Sequence, residues 1–386
     1  MALITVIDQI TSALDDGKFA IGLFLDFSKA FDTVDHSILF TKLESYGIRG
    51  LALDLIKSYL SDRMQFVEFN GVQSAKRSIN CGVPQGSILG PVLFLLYIND
   101  LPIVSKILST TIFADDTNMF ITGQDINSVI NNVNTELENV VIWLKCNKLS
   151  LNVAKSHYML FSTKLSVPEF GIFINGQPIE RVKETKFLGV LIDDKLTWKP
   201  HINILKKKIS RSIGILCKAR TVLNEATLLN LYYSFIYPYY LYGIEVWGAA
   251  YRTNLMPLMK LQKRILRIIT SSKWSASSKP LFEKHNMLNV FQLHIFKIQM
   301  YMFKFINRKL PLVFNQMYVL NSSIYMYNTR QQSKFHLPKC QLDLCLKSYR
   351  YTSVKYYNTF ESHLNYTTKQ FKRQLKQYLL LNPIIV

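Results

Sequence analysis

Three carboxylates sit inside short apolar runs: Asp26 in Phe24-Leu25-Asp26-Phe27, and Asp115 with Asp116 in Ile112-Phe113-Ala114-Asp115-Asp116. A carboxylate set into a hydrophobic strand is costly to bury unless a cation compensates it. Two such strands side by side bring two or three carboxylates to one spot, where each like-charge pair about 4 Å apart costs on the order of 4 kcal/mol at an effective dielectric near 20. A hard divalent cation, Mg²⁺ above all, reverses that sign. The constraint is topological: the chain must fold so that residue 26 and residues 115 and 116 meet at a shared cradle. Paired Mg²⁺ ions on carboxylates are the means by which polymerases and nucleases move phosphoryl groups.

The pattern around these motifs predicts the frame. Apolar spacing predicts a helix over 2–14, a turn at Asp15-Asp16-Gly17-Lys18 and a buried strand from Phe19 that ends at Asp26. Asp35-His36-Ser37 opens a helix that stops at Gly47, and a second helical piece runs from Leu51 to Leu60. Asn70-Gly71 between two apolar runs (64–69 and 73–79) is a strong hairpin signal. A glycine-rich loop, Gly82-Val83-Pro84-Gln85-Gly86, feeds an apolar helix over 87–97. The Asp115-Asp116 pair falls in a tight strand–turn–strand, followed by an amphipathic helix over 126–146 and short strands over 158–161 and 187–192. Helical spacing continues from His201 to about Lys309, and a last helix is expected over 368–381. The sum is an α+β chain: a split βαβ palm with an antiparallel sheet backed by helices, its two acidic strands neighbours in mid-sheet, followed by a helical region.

Charge divides the chain. Residues 1–156 hold 12 Lys and Arg against 16 Asp and Glu, a net of −4, while residues 157–386 hold 34 against 10, a net of +24. The acidic half carries the carboxylates. The basic half suits a polyanion, because phosphate neutralisation with counterion release drives such binding. An anionic membrane surface is the competing reading, but no segment joins a clean basic face to a clean apolar one. The run 92–98 is too short to span a bilayer, and 228–244 contains Asn230, Ser234 and Pro238, which fits a buried helix broken at the proline. The five cysteines, Cys81, Cys146, Cys217, Cys340 and Cys345, are odd in number and follow no leader-like segment, so reduced intracellular thiols are expected, in nucleus or cytoplasm. His336, Cys340 and Cys345 lie near one another, yet no fourth ligand stands at zinc-site spacing.

The motif blocks together resemble the reverse transcriptases of non-LTR retrotransposons of the jockey-like, LINE type. The matching residues are 24–34 (Phe24-Leu25-Asp26-Phe27-Ser28-Lys29-Ala30-Phe31-Asp32-Thr33-Val34), 82–91 with Pro84-Gln85-Gly86, Phe113-Ala114-Asp115-Asp116, Leu149-Ser150-Leu151-Asn152 with Lys155, and Phe187-Leu188-Gly189-Val190. The runs 239–248, 261–269 and 348–358 resemble the thumb and C-terminal region of the same elements. The resemblance implies a palm with partial fingers over 1–195, a basic helical thumb over 196–310 and a basic, aromatic C-terminal region over 311–386. It implies an RNA-directed DNA polymerase that adds dNTPs to a DNA primer on an RNA template with two Mg²⁺ ions, Mn²⁺ being a substitute. Asp26, Asp115, Asp116 and the Phe27 carbonyl would hold the metals, and Lys155 would assist the leaving pyrophosphate. Phe31 would exclude a 2′-hydroxyl, and Gln85 with Gly86 would meet the nascent pair. Leu188 and Gly189 would grip the primer end, and Lys206, Lys207, Lys208, Arg211, Lys263, Arg264 and Arg267 would face the duplex backbone.

Each assignment has a plainer alternative: core packing for Phe31, Leu188 and Gly189, and a solvated surface for Lys155 and the basic helices. Asp116 is the least settled carboxylate, since neighbouring side chains on a strand face opposite ways. Full-length relatives carry fingers and an endonuclease ahead of the first motif, and neither fits in the residues before Asp26, so weak or absent activity is the expectation for this chain alone. The rival readings are a nucleic-acid-binding remnant without catalysis, an intron maturase, and an RNA-dependent RNA polymerase, against which Ala114 and Phe31 both speak.

Overall fold

The computed structural model describes residues 1–164, 167–314, 317–325, 331–359 and 366–382. The chain divides into two compact units, one formed by Gly17–Lys183 and the other by Leu3–Asp16 together with Glu184–Val386. Helix α1 (Ala2–Asp15), although first in the chain, belongs with the C-terminal unit. These limits differ from the boundaries at 195 and 310 expected from the motif blocks.

The Gly17–Lys183 unit is built on a five-stranded sheet. Its central strand β1 (Phe19–Leu25) lies between β3 (Asp116–Gly123) and β4 (His157–Phe161), both antiparallel to it. Strand β2 (Ser109–Phe113) flanks β3, and β5 (Glu180–Arg181) lies parallel to β4. Every residue of β1 is buried. Its two faces differ, because strand side chains alternate. Phe19, Ile21, Leu23 and Leu25 join one core with helices α2 (His36–Ser45), α3 (Leu51–Leu60), α4 (Leu89–Ile98) and α5 (Ile126–Cys146). Ala20, Gly22 and Phe24 occupy the other face, where Gly22 lies so close to the Phe120 ring that a Cβ would sit 2.7 Å from it. The expected palm, an antiparallel sheet backed by helices, is thus the observed one.

Local signals account for the element ends. Asp35 caps α2 by accepting the Ile38 N–H at 3.1 Å, and Asp125 caps α5 by accepting the Ser128 N–H at 2.8 Å. The Asn70-Gly71 hairpin forms as two short ladders, Met64–Gln65 with Arg77–Ser78 and Glu68–Phe69 with Val72–Gln73. Asn175-Gly176 makes a second small hairpin with positive φ at both residues, a turn the same dipeptide rule would have found.

Among the described residues the second unit is mostly helical, with one hairpin and an isolated antiparallel bridge, Leu320–Phe335. The strand expected over 187–192 is two strands, Glu184–Phe187 and Val190–Asp193, divided by a tight turn in which Leu188 (φ 46°) and Gly189 (φ 80°) are both left-handed. Such a turn matches the twist of its strands. Helices α6 (Lys199–Ala219), Arg252–Ile269 and Val290–Ile306 follow. The apolar run 228–244 is not one helix broken at Pro238. A π-helical segment, Tyr232–Ile236, delivers the chain to Tyr237–Leu241, with Pro238 directly after the π-helical turn. Gln262 is fully buried in this unit, donating to Leu288 O at 2.9 Å and accepting from Val290 N at 3.0 Å.

Candidate active site

In the Gly17–Lys183 unit, β1 pairs β3 with Leu25 opposite Thr117. The next step of that register sets Asp26 level with Asp116. By strand alternation both side chains belong to the face that carries Phe24 and Gly22, away from the helical core. Asp115 stands beside them in the two-residue turn Ala114-Asp115, closed by the Phe113–Asp116 pair, with Ala114 at φ 55°. A turn residue escapes the alternation, so all three carboxylates reach one end of the sheet. Asp115 and Asp116 are exposed, and the Asp26 side chain is 44% exposed. Their oxygens do not all gather within 4.8 Å of one another.

The segment 150–156 clamps the end of β1. Ser28 N–H donates to Ser150 O at 2.9 Å and Asn152 N–H to Asp26 O at 2.8 Å, bracketing a Phe27–Leu151 bridge. In this pattern Phe27's own N–H and C=O take no part and point to the other side of the strand. Asp26 N–H donates to Ser156 Oγ at 3.1 Å, and Lys155 Nζ lies 3.9 Å from Asp26 Oδ2. Asn152 is thus a backbone anchor for the acidic strand.

The glycine-rich loop is zipped to the segment that follows Asp26. Gly82 N–H donates to Val34 O at 2.7 Å, Val83 N–H to Phe31 O at 2.8 Å, and His36 Nε2 lies 2.7 Å from Gly82 O. Gly82 has φ 87°, and a Cβ there would meet Asp32 O at 2.8 Å. Only glycine fits both the conformation and the approach. The loop delivers Gln85, whose Nε2 donates to Asp32 Oδ1 at 2.8 Å, and the exposed Gly86. Phe31 packs on Phe94 of α4 with ring centroids 4.7 Å apart, half-buried rather than sealed in the core. A polar cavity of about 790 Å³ opens beside this loop, lined by Lys29, Asp32, His36, Arg63 and Gln85 among others. Sequence reasoning passed over Asp32, His36 and Arg63; only the folded loop shows them facing one space.

In the second unit, the turn at Leu188 and Gly189 is braced by Tyr242, whose hydroxyl donates to Leu188 O at 2.5 Å and whose ring would stand 3.2 Å from a Cβ on Gly189. Lys206, Lys207, Lys208 and Arg211 are exposed along α6, with Lys208 Nζ 5.6 Å from the Tyr239 ring centre. The helix Arg252–Ile269 packs on α6 and carries Lys263, Arg264 and Arg267. Arg264 is exposed and Lys263 half-buried. Arg267 is tied down: its Nε–H donates to Ala276 O at 2.9 Å, so part of its guanidinium closes the following loop. Two histidines of this unit are held neutral by burial, His201 pushed down to about 4 and His294 to about 3. Among the described residues, no helix is long and apolar enough to cross a membrane.

Residues 4–192 match the family model for reverse transcriptase (RNA-dependent DNA polymerase). The chain is 28% identical over 294 residues to the probable RNA-directed DNA polymerase from transposon X-element of Drosophila melanogaster, a match covering 74% of this chain and 32% of that protein. It is 29% identical to the RNA-directed DNA polymerase from mobile element jockey of the same organism, over 70% of this chain and 30% of that protein. The chain therefore spans about a third of the length of these relatives. A solved structure of telomerase from Candida albicans, in complex with a fragment of telomeric RNA, aligns at TM-score 0.42 with 13% identity, over 74% of this chain and 54% of that one. Residues 4–192 are therefore a reverse transcriptase domain, and the chain is similar in sequence to the RNA-directed DNA polymerases of non-LTR retrotransposons.

Proposed function

We propose that this chain supplies the palm of an RNA-directed DNA polymerase, joining a dNTP to the 3′-hydroxyl of a DNA primer on an RNA template. The observation that carries the reading is the β1–β3 register, which brings Asp26 level with Asp116 and next to the Asp115 turn. Hard, exposed carboxylate oxygens at one sheet end, with the Phe27 carbonyl turned away from its bridge, are a donor set that fits Mg²⁺. Asp26, Asp115, Asp116 and the Phe27 carbonyl would hold two such ions, which when bound activate the attacking hydroxyl and neutralise the triphosphate.

The remaining residues position the reactants. Lys155 balances the Asp26 carboxylate and stands ready to share its charge or proton with the leaving pyrophosphate. Phe31, seated on Phe94, offers a ring edge against which a 2′-hydroxyl would clash. Gln85, oriented by Asp32, presents its amide carbonyl to the nascent pair, and Gly86 lets that pair approach the backbone. In the other unit the exposed α6 cations and Arg264 suit phosphates, and the turn at Leu188 and Gly189 offers the primer end a rigid edge.

Mn²⁺ binding followed by electron paramagnetic resonance, alongside primer extension on an RNA template, tests the reading. Asp26→Asn and Asp115→Asn should each weaken Mn²⁺ binding at least tenfold and abolish any extension. Mn²⁺ binding indifferent to both substitutions would refute the shared site. The dNTP-over-rNTP preference should narrow in Phe31→Ala.

A further inference from the structure

We propose that Asp15, Cys340 and Cys345 form a Zn²⁺ site that ties the end of α1 to the C-terminal segment of the same unit. The sequence shows two cysteines five residues apart with no adequate partner, and the fold supplies one from the far end of the chain. Among the described residues this is the group of His, Cys, Asp or Glu whose ligand atoms all lie within 4.8 Å of one another. All three side chains are half-buried, shielded from bulk water yet open to entry of an ion.

The carboxylate is set in place by its surroundings. Asp15 Oδ1 accepts the backbone N–H groups of Gln341 at 2.9 Å and Leu342 at 2.7 Å, the residues that follow Cys340. Those two bonds fix the carboxylate against the cysteine loop and leave Oδ2 as its remaining donor atom. Backbone support of this kind is what orients a metal ligand before the metal arrives. Cys345 comes from the short helix Asp343–Leu346, so helix and loop converge on the same carboxylate. His336, the nearest histidine in sequence, is used elsewhere: its Nδ1 lies 3.3 Å from Asn321 Oδ1.

Two thiolates and one carboxylate are a soft-to-borderline donor set, which selects Zn²⁺ over Mg²⁺ or Ca²⁺. Bond lengths of about 2.3 Å to sulfur and about 2.0 Å to oxygen place tetrahedral donors nearly 4 Å apart, so small side-chain adjustments close the site. Water would complete the fourth position. On coordination each thiol loses its proton, so one Zn²⁺ enters and two H⁺ leave, with no change in oxidation state. The site is separate from the acidic residues of the palm and demands a different ion, so the proposal stands or falls independently of the polymerase reading.

The test uses the tag-free chain, purified under reducing conditions, dialysed against Zn²⁺ and then against metal-free buffer. Elemental analysis should find one Zn²⁺ per chain. Replacement by Co²⁺ should give the near-ultraviolet absorption of cobalt–thiolate charge transfer. Cys345→Ser should abolish that band. Asp15→Asn, which keeps an Oδ1 acceptor for Gln341 and Leu342, should weaken Zn²⁺ binding at least tenfold with an unchanged circular dichroism spectrum. Cys146→Ser, at an exposed position of the other unit, should change neither. Failure of the folded, reduced wild-type protein to retain Zn²⁺, or a Co²⁺ form without the thiolate band, overturns the proposal, and so does a Cys340–Cys345 disulfide whose reduction restores no metal uptake.

Discussion

Gly82→Ala offers a quantitative test of how the glycine-rich loop is held. The substitution imposes two separable costs. The first is conformational: at φ 87° an L side chain is strained, by about 1–2 kcal/mol. The second is steric: the new Cβ would lie 2.8 Å from Asp32 O and 3.0 Å from Asp32 Cα and C, all backbone atoms that cannot swing aside. Pushing the two segments apart costs about 1–3 kcal/mol as overpacking. It also stretches the bonds from Gly82 N–H to Val34 O and from Val83 N–H to Phe31 O, each worth about 1 kcal/mol. Together a loss of about 3–5 kcal/mol is expected.

Gly86 is the built-in control. Its φ is 81°, yet nothing lies within 4 Å of its Cβ position, so Gly86→Ala carries only the conformational cost of about 1–2 kcal/mol. Urea unfolding of both variants, followed by tryptophan fluorescence and circular dichroism, measures the difference. With a urea slope of about 2 kcal/mol/M, the Gly82→Ala midpoint should fall at least about 0.5 M further than that of Gly86→Ala. Equal midpoints would refute the claim that the loop is zipped against Asp32. The same displacement should move Gln85 off Asp32 and so reduce any templated incorporation more than the stability loss alone would.

Lys155→Ala removes a cation 3.9 Å from Asp26 in an exposed pair, so stability should shift by less than about 0.5 kcal/mol, while Mn²⁺ affinity rises about threefold because a competing positive charge has gone; weaker Mn²⁺ binding would show that Lys155 supports the metal site instead. Asp8 is pushed up to about 6, first by burial and only partly countered by Arg350. Its folded-state value exceeds the unfolded 3.8, so the unfolded chain releases this proton first, and stability falls as pH rises from about 4 to 6 and stays lowered above. Asp8→Asn should therefore stabilise the protein at pH 7.5, by on the order of 2 kcal/mol, and gain nothing at pH 3.5; equal thermal shifts at the two pH values would refute the assignment.

Much of the palm is legible residue by residue because its signals are local. Asn70-Gly71 specifies a hairpin, Asp35 and Asp125 specify helix starts, and alternation about β1 sets which side chains face the helices. The run of motifs from Asp26 to Gly189 names the family before any coordinate is known. Local signals also mislead where two conformations share one composition. Phe187 to Ile192 is apolar enough for a strand, and only the left-handed pair Leu188 and Gly189 turns it into a hairpin braced by Tyr242. The bond from Arg267 Nε–H to Ala276 O is likewise one that spacing alone does not foretell.

The sequence alone determined the apolar periodicity, the charge division and the chemical identity of the donors, because those are properties of residue type and spacing. Tertiary structure decided which distant residues became neighbours. It placed α1 with residues 184–386 rather than with β1, and so carried Asp15 to Cys340 and Cys345. It set Asp26 level with Asp116, tied Gln85 to Asp32, and left Asp115 in a turn where strand alternation no longer binds it. The physical reason is common to all three: backbone hydrogen bonds fix register one residue at a time, and a register between segments a hundred residues apart is chosen by the burial of whole faces, not by the residues that meet there.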